Sequence, residues 1–215
     1  MIFVGVLGAP ALTFSYIDFS ESISSALSLP AGAQAGDFAV YAEWSLSFSG
    51  RPSAVTPSGW TQLVNNADVS NLRCCVYRKV LPSGDVSAGS ITGMDGDLTD
   101  FKIMLLFRPS KPIATTTDST WTQQATDGNP SAQNIAGNGQ AAPLLAVAFA
   151  AVAAGGTINP FSWSPAYDAL ITPANGANTM RATYKIYNTA PADISIDIDD
   201  EGGGNFLTGG YSRFT

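Results

Sequence analysis

The chain has 215 residues, 45% of them hydrophobic and 13% charged, so it can bury a sizeable core and disorder is not expected. Ten Lys+Arg against 17 Asp+Glu give a net charge of −7 with no basic stripe, which argues against nucleic acid as a direct partner. No apolar run reaches the length of a membrane span, since Gly155 and Gly156 break "PLLAVAFAAVAAGG", and no membrane partner is expected.

In chain order, β-rich runs bounded by Gly, Pro, Asn or Asp predict strands over Ile2–Leu7, Phe38–Phe48, Leu72–Val80 and Lys102–Arg108 in the first half. The opening "MIFVGVLGAPALTF" lacks the charged n-region of a secretory signal and reads as a strand. The best helix signal is "DFSESISSALSL", where Ser20 or Ser22 can cap one turn, although the same segment also suits an extended chain. Between the second and third strands, "PSGWTQL" places Trp60 directly behind the turn-forming Pro57, Ser58 and Gly59. The only cysteines, Cys74 and Cys75, are adjacent, which strains a conventional disulfide between them; packed thiols are preferred over an intersubunit bridge. The second half continues with strands at Leu144–Val152, Arg181–Asn188, Ile194–Ile198 and Gly210–Phe214, and "PFSWSPAYDAL" repeats the Pro-x-x-Trp spacing at Pro160 and Trp163.

The halves are related by a nearly constant offset. Pro57 to Pro160 and Trp60 to Trp163 each span 103 residues, Val40 to Val147 and Phe107 to Phe214 span 107, and Arg73 to Arg181, Asp85 to Asp193 and Ser87 to Ser195 span 108. "RCCVYRKVLPSGDVS" and "RATYKIYNTAPADIS" align without a gap through a strand, a Pro/Ala turn and the entry to another strand, which Asp85 and Ser87 open in the first half. A degenerate duplication follows, with half-repeats over about 1–108 and 109–215. Two such units are too long and too few for a solenoid, so the expected fold is all-β, a single antiparallel β-sandwich domain over 1–215, jelly-roll-like, with its two half-repeats packed together. Two small sandwiches in tandem are the alternative.

The order "GDFAVYAEW", "PSGWTQL", "CCVYRKV", "FKIMLLFRP" resembles a class of β-sandwich proteins of tailed bacteriophages and prophages. In that class a Gly-Asp strand, a Pro-x-Gly-Trp corner, a Tyr-x-Lys strand and a last strand ending in Phe or Tyr-Arg occur twice per domain. The second half departs from the pattern, with Ser162 in place of Gly59 and Thr215 in place of Arg108. The resemblance implies a bacteriophage virion structural protein on the particle exterior, a capsid decoration or another peripheral head or tail component. It would assemble in the host cytoplasm, contact other virion proteins and form homo-oligomers. The alternative is a carbohydrate-binding receptor-recognition module, an adhesin or tail-fibre part, whose partner would be a host surface glycan.

The candidate residues divide between structural and chemical readings. Trp60 and Trp163, with Pro57, Gly59 and Pro160, are expected to be structural corners that cap the open end of the sandwich. The competing reading joins them with Trp44, Trp121 and nearby tyrosines in a stacking platform for sugars. "DISIDIDDEGGGNF" gathers Asp197, Asp199, Asp200 and Glu201 as candidate calcium ligands, but it lacks the EF-hand spacing and reads as a solvated acidic turn, as does "GMDGDLTD" in the first half. No metal or other cofactor is expected. The chain has no histidine and no nucleophile elbow or phosphate loop, so it is expected not to be an enzyme. A glycosidase working with two carboxylates is the enzymatic alternative.

Overall fold

The structure, a computed structural model, describes residues 11–23, 26–45, 56–69, 72–91, 101–118, 121–126, 132–135, 143–152, 162–164, 166–172, 180–189, 193–197 and 205–214. In the first half the described elements are β1 (Phe14–Ser22), β2 (Leu27–Ser28), β3 (Phe38–Ser45), β4 (Thr61–Val69), β5 (Leu72–Val80), α1 (Ser83–Ala88), β6 (Ser90–Ile91) and β7 (Phe101–Pro109). The second half contributes β8 (Thr116–Asp118), β9 (Thr122–Thr126), β10 (Gln133–Ile135), β11 (Leu144–Val152), β12 (Ser162–Ser164), β13 (Ala169–Ile171), β14 (Met180–Tyr187), β15 (Ile194–Asp197) and β16 (Asn205–Phe214). The chain is all-β, with antiparallel pairing throughout the described sheets. The expected strand at Ile2–Leu7 and the acidic stretch from Asp95 to Asp100 lie outside the described residues.

Each large sheet is drawn from one half of the chain. The first runs β1-β7-β3-β5-β4, and the second runs β13-β14-β11-β16-β8, with β9 also paired to β16. Numbered within its own half, each sheet has the order first, fifth, second, fourth, third. The middle strands carry near-continuous apolar runs because both of their faces are covered. On β3, Phe38, Val40, Ala42 and Trp44 point toward the second sheet, where Leu145, Val147, Phe149 and Ala151 of β11 meet them in one core. Phe214 bridges the two, with ring centroids 4.4 Å from Phe14 and 4.9 Å from Phe38. The packing is sandwich-like.

The outer faces are covered as well. Over the first sheet, Leu27 of β2, Ile91 of β6 and Val86 of α1 pack on Ala39, Tyr41, Cys75, Tyr77, Met104 and Leu106. Over the second, the small sheet β10-β15-β12 lays Ile135 and Ile196 on Ala146, Ala148 and Ala150. That third layer can approach because Gly209 has no side chain: a Cβ there would stand 2.9 Å from Cδ1 of both isoleucines. On the next residue a Cβ would meet the Trp121 ring at 2.5 Å, so Gly210 makes the corresponding space for the indole.

Two local expectations differ from what the structure shows. The helix-capping reading of "DFSESISSALSL" gives way to strand, since Asp18–Ser22 belong to β1 and Leu27–Ser28 to β2; pairing with β7 and β6 overrides a weak local cap. The helix instead occupies Ser83–Ala88, where the offset between the halves predicted the start of a strand at Asp85 and Ser87. Extended Pro82 precedes it, Asp85 favours its first turn, and Gly89 ends it in the left-handed conformation at φ 70°. Its counterpart in the second half, Ser195, is extended within β15.

Candidate functional site

The polar chemistry of the first half collects on the outer face of its sheet. Antiparallel register places Lys102 of β7 opposite Glu43 of β3, and Glu43 opposite Cys75 of β5. One row along, Tyr41 stands between Met104 and Tyr77, and Tyr77 stands opposite Gln62 of β4. Because alternate residues of a strand share a face, Tyr41 and Glu43 lie side by side over the sheet. Both are buried, and Lys102 is 0% exposed.

Within this patch the Lys102 Nζ lies 3.4 Å from Glu43 Oε1, while the Tyr41 hydroxyl donates a short hydrogen bond to Glu43 Oε2. Tyr41 stacks on Tyr77 with centroids 5.4 Å apart, and Gln62 Nε2 donates to the Tyr77 hydroxyl at 3.4 Å. Burial, then the charge of Glu43, pushes the Tyr41 phenol well above its ordinary range. Burial foremost, then Cys75, does the same to Tyr77. Both phenols therefore remain neutral hydrogen-bonding groups.

Trp60 closes this patch from the β4 side. It is 7% exposed, and its ring meets Tyr41 edge-on with centroids 5.8 Å apart. The turn before it is tied by the Trp60 N–H donating to the Pro57 carbonyl, with Gly59 at φ 77°. Only a residue without a Cβ adopts that backbone readily. Lys79 covers the corner: its Nζ lies 5.9 Å from the Trp60 ring centre, donates to the Ser58 carbonyl and pairs with Asp85 at 2.7 Å. Pro57, Gly59 and Trp60 thus form a packed turn held by the lysine of the Tyr-x-Lys strand.

Trp163 sits in a different setting. Its backbone belongs to β12 and pairs with Ile196 of β15, so it is part of the outer layer of the second half rather than of a turn leading into an edge strand. The second half builds that layer as a three-stranded sheet, with Ser162 and Trp163 extended at the positions that correspond to Gly59 and Trp60. Pro160 lies outside the described residues, as do Asp199, Asp200 and Glu201. Asp197 ends β15, and among the described residues no three His, Cys, Asp or Glu side chains come together in a metal-binding group. Of the other tryptophans, Trp44 is 1% exposed in the intersheet core and Trp121 packs against the Gly210 backbone. A stacking platform requires exposed rings, and Trp44 and Trp60 are not exposed.

A second polar arrangement was present in the sequence motifs without its role being evident. Arg108, at the end of β7, donates from Nε to Asp37 Oδ1 and from Nη2 to Asp37 Oδ2, both at 2.9 Å, and Nη2 also reaches the Gly32 carbonyl. Asp37 is buried, and hydrogen bonding to it raises the Arg108 pKa. A cleft of about 310 Å³ opens beside the pair, lined in part by Gln34, Ser110 and Lys111. The Gly-Asp strand and the Phe-Arg ending are therefore two sides of one clamp. Sequence reading also missed Glu43 and Lys102; the available signal was one acidic residue in the apolar β3 and one basic residue just before the apolar run of β7.

Comparison with known protein families, curated proteins and solved structures found no match.

Proposed function

We propose that the chain is a structural protein on the exterior of a tailed-bacteriophage particle, a capsid decoration or another peripheral head or tail component. The observation that carries the reading is the use made of the residues behind the phage resemblance. Asp37 and Arg108 clamp the ends of β3 and β7, while Pro57, Gly59 and Trp60 form a corner that Lys79 covers. These side chains act in holding a surface module together. The reading is of a non-enzymatic protein that works by surface complementarity.

The repeated strand order of the two sheets supports an origin by duplication, with one sheet from each half. The outer pairs support it too, because β2 with β6 and β10 with β15 occupy the same positions in their halves. A jelly roll in the strict sense threads the chain back and forth between its sheets, so the half-by-half arrangement favours the duplicated form of the sandwich. Among the residues whose side chains are described, Ile23 is the one large hydrophobic that is exposed, which suits contacts with virion neighbours or further copies through polar, small-residue surfaces.

The reading is tested by sedimenting particles produced from the genome that encodes the chain and probing the fractions with an antibody. Co-sedimentation in constant proportion to the major head protein is expected. Recovery only in the soluble fraction would overturn it.

A further inference from the structure

Lys102 and Glu43 are a costly pair to leave ionised. Taking an ammonium and a carboxylate out of water costs several kcal/mol per ion, and the attraction offsets this only when the geometry is tight. Their closest approach of 3.4 Å is longer than the 2.7–2.9 Å typical of a charge-assisted hydrogen bond. Condensation requires an amine and a carboxylic acid, which differ from the ion pair only by one proton passed from Lys102 Nζ to the nearer Glu43 oxygen, Oε1. That transfer creates a nucleophile and an acyl carbon held side by side.

We propose that Lys102 and Glu43 condense to an intramolecular amide that cross-links β7 to β3. The two are direct cross-strand partners, so the rigid sheet holds the reacting groups together, and Lys102 is fully buried. Intramolecular partners held in a near-attack geometry reach effective concentrations of up to roughly 10⁵–10⁸ M. The Lys102 Nζ lone pair attacks Glu43 Cδ, the carbonyl π pair moves onto oxygen, and a tetrahedral adduct forms. One proton leaves the nitrogen and one hydrogen ends on the departing hydroxyl as the Cδ–O bond breaks. The products are an amide and one water, with no oxidant, reductant or co-reactant. Tyr41 donates its hydrogen bond to Oε2, the carbonyl oxygen that takes the π pair, and so stabilises the tetrahedral adduct while the Oε1 hydroxyl departs. Burial keeps that phenol protonated, so it remains a donor.

The cross-link would join the two neighbouring middle strands of the first sheet and close the chain between them. It needs no oxidising compartment, unlike a disulfide, and Cys74 and Cys75 are free. It does not depend on the virion reading.

The test is the mass of the full chain, purified and denatured, followed by peptide mapping. The expected result is a mass lower than that of the sequence by one water, with a branched peptide joining the Glu43 segment to the Lys102 segment. Lys102→Arg should restore the full sequence mass, and Tyr41→Phe should lower the cross-linked fraction at matched times after synthesis. If Lys102→Arg does not fold, the wild-type map decides alone. A folded wild-type chain with unmodified Glu43 and Lys102 peptides, or with the water lost elsewhere, would overturn the proposal.

Discussion

Arg78 of β5 and Asp118 of β8 join the two large sheets across the sandwich. Arg78 Nε donates to Asp118 Oδ1 at 2.9 Å and to Oδ2 at 2.7 Å, Nη2 reaches Oδ2 at 2.7 Å, and the Ser212 hydroxyl donates to Oδ1 at 2.9 Å. Both ionic side chains are largely covered, at 15% and 18% exposure. Asp118→Asn keeps the shape but removes the charge, and it should cost about 1.5–3 kcal/mol, the range for a hydrogen bond to a charged group. Urea unfolding reads this as a lower midpoint with an unchanged slope. A midpoint equal to that of the wild type would mean that the clamp contributes nothing.

Trp60→Ala removes a ring that covers Tyr41 and is itself covered by Lys79. Deleting a buried aromatic of this size costs about 3–5 kcal/mol. Thermal or urea unfolding checks the loss, and an array of immobilised glycans checks the rival role. Full stability combined with loss of glycan binding would move Trp60 from the core to a recognition site.

Tyr16, Tyr41, Tyr77 and Tyr184 all have phenols held above their ordinary pKa of 10.0, with burial as the largest cause in each. The nearby charges of Asp18, Glu43 and Asp168 add to the effect at Tyr16, Tyr41 and Tyr184 respectively. Above about pH 10 the unfolded chain releases phenolic protons that the native chain retains, so the native state binds more protons and stability falls as pH rises. Below that pH the stabilisation is fully present. Urea midpoints should drop between about pH 9 and 11, with tyrosinate absorbance rising together with unfolding. Midpoints that stay level while the phenols ionise in the folded protein would contradict this.

Cys74 and Cys75 are both free and buried, and burial, reinforced by Cys75 and Glu43, holds the Cys74 thiol well above its usual range. The thiolate is the reactive form, so an aromatic disulfide reagent should leave the native chain untouched and titrate two thiols after denaturation. Rapid labelling of either thiol in the native protein would show that the outer or intersheet packing around β5 is wrong.

The strands most directly legible in the sequence were those with an apolar centre, while β14, β15 and the end of β16 were read from β-rich runs of mixed polarity. "FAVYAEW", "FKIMLLF" and "LLAVAFAAV" are nearly unbroken apolar runs, "RCCVYRKV" has an apolar centre between charged ends, and β3, β7, β11 and β5 lie at or beside the centres of their sheets. By contrast, β1 (FSYIDFSES), β4 (TQLVNNADV) and β9 (TQQAT) carry too many polar residues to be distinguished by local pattern. Their extended state comes from pairing with β7, β5 and β16, which is information no single window contains. The same applies to the polar patch: Glu43 and Lys102 become neighbours only once the β3–β7 register is set. Trp60 was legible as a corner because Pro57 and Gly59 announce the turn, whereas Lys79 and Asp85, which complete it, are brought there by β5 and α1.

Antibody labelling of the chain on purified particles, imaged by electron microscopy, tests the central claim most directly. The account predicts regularly spaced copies on the outside of the head or at a fixed peripheral position on the tail. Label confined to the tail tip or fibres would shift the assignment to receptor recognition, and particles that carry none of the chain would contradict the account.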